Sequence, residues 1–193
     1  MRNLRTKTTL FAVLLPLLLA GTAQASADIR TVKFTPVASS DPFSIGPLPQ
    51  RGNIQIVFAD GKKQAVSGGR IYFTEYADAN PQIAPDNKTA GWLRCTPINR
   101  KLYVPARLVI YRNHDIYRII RGKLAYVDAF QFWNGGKQVA FRSRNGHGPS
   151  VIALYDLESG KVLSELTLTG YKLTPTGYKL TAALPAWAQK LKD

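Results

Sequence analysis

Apolar residues along this chain either alternate with polar ones or run together in short bursts, and no long window shows the 3.6-residue period of a helix. Ile29 to Phe34 alternates as Ile-Arg-Thr-Val-Lys-Phe and predicts a first strand. Ile54, Ile56 and Phe58 alternate in the next; Asp60-Gly61 then supplies a tight turn, and the chain returns through Ala65-Val66. Arg70 to Tyr76 predicts another strand, as do Gly91 to Leu93, Arg107 to Arg112, Ile116 to Ile120 and Leu124 to Trp133. Asn113-His114-Asp115 turns the chain between two of these.

Residues 130–163 carry the densest pattern, read as strand, tight turn, strand, loop, strand, tight turn, strand. Asn134-Gly135-Gly136 and Glu158-Ser159-Gly160 supply residues that tolerate positive φ, which two-residue hairpin turns need. Val139 to Phe141 and Val151 to Tyr155 are β-branched and aromatic runs between those turns. Four such strands make an antiparallel unit the size of a propeller blade. Pro36, Pro42, Pro47 and Pro49 make residues 36–52 a loop. Thr169 to Pro175 is repeated almost unchanged as Thr176 to Ala182, which predicts a tolerated duplication in an exposed loop or lengthened hairpin. Leu184 to Leu191, with Pro185 at its start and Trp187 four residues before Leu191, predicts one short C-terminal helix. The chain is expected to be all-β, with roughly ten to twelve strands.

The N-terminus changes this picture by removing a segment from it. Arg2, Arg5 and Lys7 precede an apolar stretch from Leu10 to Ala20, and Ala23-Gln24-Ala25 fits a small-x-small cleavage site. The expectation is a signal peptide over 1–25, cleaved after Ala25, and a periplasmic or secreted protein with no transmembrane segment in its mature chain. Residues 26–193 remain, enough for a single domain with its own core. Cys95 is the one cysteine, so no intrachain disulfide forms.

Charge adds the strongest functional signal. The chain has 26 basic and 12 acidic residues, a net +14; three of the basic residues lie in the first 25, leaving +11. Residues 94–144 hold eleven Lys and Arg against Asp115 and Asp128, so +9 of that sits in one stretch. Such a field favours an anionic partner and says nothing about fold.

Two stretches repeat. Pro85 to Trp92 parallels Trp133 to Phe141, and Leu108 to Tyr111 parallels Ile152 to Tyr155. Lys88 to Lys137 is 49 positions and Tyr111 to Tyr155 is 44, both within the blade-length period. Asn134-Gly-Gly-Lys137 and Leu154-Tyr-Asp-Leu-Glu-Ser-Gly-Lys161 resemble the repeats of bacterial Tol-type and Trp-Asp-type propellers. Asp86 to Trp92, Gly135 to Phe141, His147-Gly148, Tyr155 to Leu157 and Pro185 to Ala188, in that order, also resemble a group of exported bacterial proteins of unassigned function. The resemblance implies propeller-like four-stranded units around 85–120 and 124–168, with Asp60-Gly61-Lys62 as the outer half of a preceding one. The architecture expected is an incomplete or small propeller, alternatively a β-sandwich.

For chemistry, His147 stands between glycines in Asn145-Gly-His-Gly-Pro149, where backbone can approach a ligand and an imidazole can transfer protons. His114, His147 and Cys95 fit no metal-ligand spacing, and no phosphate-binding or dinucleotide fingerprint is present. No cofactor or metal is expected, and a non-catalytic protein is favoured over a hydrolase or metal-dependent enzyme centred on His147. Arg107, Arg112, Arg118, Arg121, Arg142 and Arg144 share strands with aromatics, Tyr111 and Tyr117 among them. These residues are expected to form a basic-aromatic surface for an acidic protein or an anionic envelope polymer, or else to solvate the rims of core strands. Export argues against nucleic acid as the target; self-association is open.

Overall fold

The structure, a computed structural model, describes residues 27–34, 54–66, 76–77, 80–97, 103–146, 148–169, 171–174, 177–180 and 183–191. The expected signal peptide, the loop 36–52, most of the expected strand 70–76, and His147 lie outside the described residues. Within them the chain is all-β. Strands β1 (Ile29–Phe34), β2 (Ile54–Phe58) and β3 (Lys63–Val66) form a first antiparallel sheet in chain order. In the second sheet, the short strands β4 (Tyr76–Ala77) and β5 (Gln82–Ile83) both pair with β6 (Thr89–Pro97). It continues through β7 (Tyr103–Arg112) and β8 (Asp115–Arg121). The third sheet is a four-stranded meander of β9 (Tyr126–Trp133), β10 (Gln138–Arg144), β11 (Ser150–Asp156) and β12 (Val162–Leu168).

Strands β13 (Tyr171–Thr174) and β14 (Gly177–Leu180) pair only with each other among the described residues, and each lies in one copy of the duplicated segment. A 3-10 helix spans Ala186–Leu191. The fourteen described strands exceed the sequence expectation because β5 is too short to register as an apolar pattern and the duplicated segment, expected as a loop or a lengthened hairpin, adds two strands of its own.

The three sheets are stacked, and alternation along the strands explains the stacking. On β7, Val109 and Tyr111 point to the first sheet, where they meet Ile54, Ile56 and Phe58 with Trp92 of β6. Leu108 and Ile110, between them in sequence, point to the third sheet and pack on Val127, Phe130, Val139 and Phe141. The far face of the third sheet presents Ala140, Ile152, Leu154 and Leu168 to Ala188 and Leu191 of the 3-10 helix. Central strands are thus buried on both faces, which is why they read as continuous apolar runs rather than alternating ones.

Backbone and amide bonds cross each interface as well. The amide of Ile29 donates to Asn87 O at 2.6 Å, Gln82 Nε2 to Phe130 O at 2.7 Å, and Gln131 Nε2 to Trp187 O at 2.6 Å. Trp92 is fully buried, and its indole N–H has no hydrogen-bond partner.

The third sheet sits on the second in the way the second sits on the first. Trp92 and Tyr111 face the preceding sheet, and so do Phe141 and Tyr155. The fold is all-β and built of antiparallel sheets, but the sheets stay open and do not close into a propeller ring. The ends of the stack explain why: the helix covers one outer face, and β1 exposes Arg30 and Lys33 at the other end. The expectation of a small closed propeller is corrected to an open stack.

All five described tight turns lie at one end of the stack. Asp86 accepts from the amides of Lys88 and Thr89, each at 2.9 Å, and from Thr89 Oγ1 at 2.7 Å. Asp156 accepts from Ser159 N at 2.7 Å and Asp60 from Lys62 N at 3.0 Å; these bonds hold the carboxyls of Asp156 and Asp60 below the usual carboxylate range. Gly136 (φ 89°) closes the β9–β10 turn, and a Cβ there would stand 2.9 Å from Ala84 Cβ. Gly61 has a similar φ of 84° but open space around it. Gly61→Ala should therefore cost only the left-handed backbone penalty, roughly 1–2 kcal/mol. Gly136→Ala should cost about 1–3 kcal/mol more, from overpacking. Urea denaturation of the two variants measures the difference, and equal losses would show that the turn does not pack as described.

Candidate functional site

Charged residues lie on both sides of the doubly buried stretch of the central strands, and the two sides differ. At the turn end, lysines and carboxylates are interleaved: Asp60, Lys62, Lys63, Asp86, Lys88, Asp115, Lys137, Asp156, Glu158 and Lys161. At the opposite end, Arg94, Arg107, Arg121, Lys123 and Arg144 stand against Asp128 and Glu165. The strand register gives this end its shape. Arg94 on β6 pairs with Arg107 on β7, which pairs with Arg121 on β8, so three guanidiniums lie in one cross-strand row. Like charges directly opposite repel, so such a row raises the local positive potential. Arg94 is buried, Arg107 half-buried and Arg121 exposed, so the row runs from core to solvent.

Arg112, Arg118 and Arg142 make contacts between layers. Arg112 reaches from the second sheet to the third: its Nε donates to Thr89 Oγ1 at 2.8 Å and its Nη2 to Gly136 O at 2.6 Å. Arg118 does the same one strand over, donating to Leu157 O at 3.2 Å and Glu158 O at 2.9 Å. Tyr117 lies between these two guanidiniums, 5.2 Å and 5.0 Å from its ring centroid. Each cation gains a few tenths to about 1 kcal/mol from such a contact.

Arg142 forms a two-pronged pair with Asp128, at 2.9 and 3.1 Å, and donates to Leu191 O at 3.1 Å, which ties the C-terminal helix to the third sheet. Arg144 binds the same carboxylate at 2.5 Å but stays 51 % exposed. Lys123, which sequence reasoning did not single out, extends from the β8–β9 loop to Glu165. Its signal was present in the charge count, without the register that places it beside Arg121.

Tyr111 belongs to the core and not to a surface. It is 1 % exposed, and its hydroxyl donates to Gln64 Oε1 at 2.7 Å, joining the second sheet to the first. Burial, and secondarily the charge of Asp115, pushes its phenol up to about 12. The expected surface therefore divides. Arg112, Arg118, Arg142, Tyr111 and Tyr117 hold the layers together; Arg107, Arg121 and Arg144, with Arg94 and Lys123, form the basic end. Charge, not base-stacking aromatics, is what that end presents.

Among the described residues, no group of three or more His, Cys, Asp and Glu could hold a metal ion, and no helix is long and apolar enough to cross a membrane. No protein-family model matches the chain, and no curated protein matches it either. The likeness to exported propeller-like proteins rests on the motifs themselves.

Two outcomes follow from this division. Arg142→Ala should destabilise toward the lower end of the about 3–5 kcal/mol typical of a broken buried pair, since Arg144 still holds Asp128. Arg121→Ala should stay within about 0.5 kcal/mol of the parent, as surface changes do. Urea midpoints decide this, and a neutral Arg142→Ala would remove the latch described.

The second outcome concerns alkaline pH. An unfolded Tyr111 loses its proton near 10 and the folded one near 12, so the folded state binds more protons between those values. Its contribution to stability is complete below pH 10 and falls away as pH rises to about 12. Tyr111→Phe should remove one late-titrating phenolate from the absorbance titration, together with that part of the alkaline loss.

Proposed function

We propose that this is an exported, non-catalytic binding protein of the cell envelope, which holds an acidic protein or anionic envelope polymer at the basic end of its stacked strands. The observation that carries the reading is the exposed Arg121, Lys123 and Arg144 gathered at one end, with Lys123 shared with Glu165 and Arg144 with Asp128, beside the cross-strand partners Arg107 and Arg94. The leader-like first 25 residues support export, and the overall excess of basic residues supports an anionic target. Arg112 and Arg118 are left out of the contact surface, because their donors already serve backbone carbonyls of the third sheet.

The test compares two double reversals with the same change in net charge, using immobilised poly-L-glutamate as the probe. Arg121→Glu with Lys123→Glu alters the basic end; Lys88→Glu with Lys161→Glu alters the turn end. The first should weaken retention roughly tenfold, about 1.4 kcal/mol, and flatten its dependence on salt. The second should leave most of the retention in place. Equal losses from both would reduce the effect to net charge and sink the site. A pull-down from envelope extract eluted by a salt gradient then names the partner, and release of nothing at any salt would count against the reading.

A further inference from the structure

The β7–β8 turn carries a feature that the basic end does not use. Asn113 and His114 are its two central residues, with φ of 54° and 65°, the positive pair that a type I′ hairpin requires. Glycine is the usual second residue there, and a side chain in that backbone region is strained. His114 is held in place by three contacts. Gln64 Nε2 donates to its carbonyl at 2.7 Å, its ring lies 5.0 Å from that of Phe58, and its Nδ1 is 3.2 Å from Gln64 Oε1.

These bonds set the tautomer. Gln64 uses its NH2 group on the His114 carbonyl, so the atom facing the imidazole is its carbonyl oxygen, which also accepts from Tyr111 Oη. An oxygen cannot donate, so in the neutral imidazole Nδ1 carries the proton and Nε2 is left as an acceptor. The ring lines a cleft of about 400 Å³ together with Ala27, Phe58, Lys62, Lys63 and Gln64. That volume lies within the range of small-ligand sites, about 300–1,000 Å³. Asp60 also lines it, paired to Lys62 Nζ at 3.1 Å.

We propose that this cleft is a second ligand site, for a small hydroxylated carboxylate of the kind an acidic sugar presents. The lysines would take the carboxylate, and His114 Nε2 would accept a hydrogen bond from a ligand hydroxyl. Asp60 offers a further acceptor, and the exposed His114 ring, backed by the buried Phe58 ring, gives an apolar face for a sugar ring. The site lies at the turn end, away from Arg121, so it stands or falls separately from the proposed polyanion surface.

The probe is D-galacturonate, with galactose, which lacks the carboxylate, and acetate, which lacks the hydroxyls. Proton-detected nitrogen NMR of the purified protein should show His114 with its proton on Nδ1. Galacturonate should shift the Nε2 resonance and the Lys63 amide, while either control binds at least about tenfold more weakly, a difference of 1.4 kcal/mol. His114→Gly removes the imidazole but suits the positive φ, so it should fold at least as stably as the parent and bind at least about tenfold more weakly. Lys63→Gln should weaken galacturonate while leaving galactose unchanged. An unmoved Nε2 resonance, equal response to galactose, or unimpaired binding by His114→Gly would each overturn the proposal. Arg121→Glu should leave galacturonate binding intact, which separates this result from the fate of the basic end.

Discussion

Double-sided burial of the middle strands governs the rest of this molecule. Once Val109 and Tyr111 face one sheet and Leu108 and Ile110 another, β7 has no side on which a charge can be solvated. Charged residues are excluded from the stretch packed on both faces and fall beside it, where water or a polar partner is within reach. The orphaned indole N–H of Trp92 shows what the constraint costs where it is not met, on the order of 1–3 kcal/mol for an unpaired buried donor. The high content of arginine follows the same logic. Its planar fork satisfies carbonyls on a neighbouring layer while its stem lies along apolar surface.

This gives the two ends of the strands separate characters. At the turn end, Arg112 and Arg118 reach across to the carbonyls of Gly136, Leu157 and Glu158, so the turns of one sheet are fastened by side chains of the sheet before it. At the other end, Arg142 fastens the terminal helix, and Arg121, Lys123 and Arg144 present positive charge to solvent. Positive charge does structural work in one region and sets the surface potential in the other, although composition counts both alike.

Much of the fold was legible in the sequence, because strands and turns are local. The alternation in Ile29–Phe34, the Asp60-Gly61 turn and the apolar runs in β10 and β11 stand where the pattern put them. The site was less legible, for a reason visible in β8. Counting back from the turn at Asn113-His114 sets Arg107 opposite Ile120. The irregularity beside Tyr111 adds Tyr117 as an extra residue and moves Arg107 opposite Arg121. One inserted residue exchanges faces, and nothing in Ile116 to Ile120 announces it. The roles of Arg112, Arg118 and Tyr111 were hidden for a related reason: their partners on other sheets lie 24 to 47 positions away. Charge counting found the basic stretch but could not divide fasteners from surface.

The open stack also has a consequence for how the chain comes apart. A closed ring makes every blade a neighbour of two others, so opening one seam strains the whole. Here the layers form a short line, with each interface among the described residues shared by adjacent members, and stability in such a line is close to a sum of nearest-neighbour terms. Unfolding then begins at the termini of the line, and fraying of the helix at one extremity is felt only weakly by β1 at the other. The second sheet, flanked on both sides, becomes the kinetic keystone, the last unit to exchange its amide hydrogens and the one on which the others reassemble.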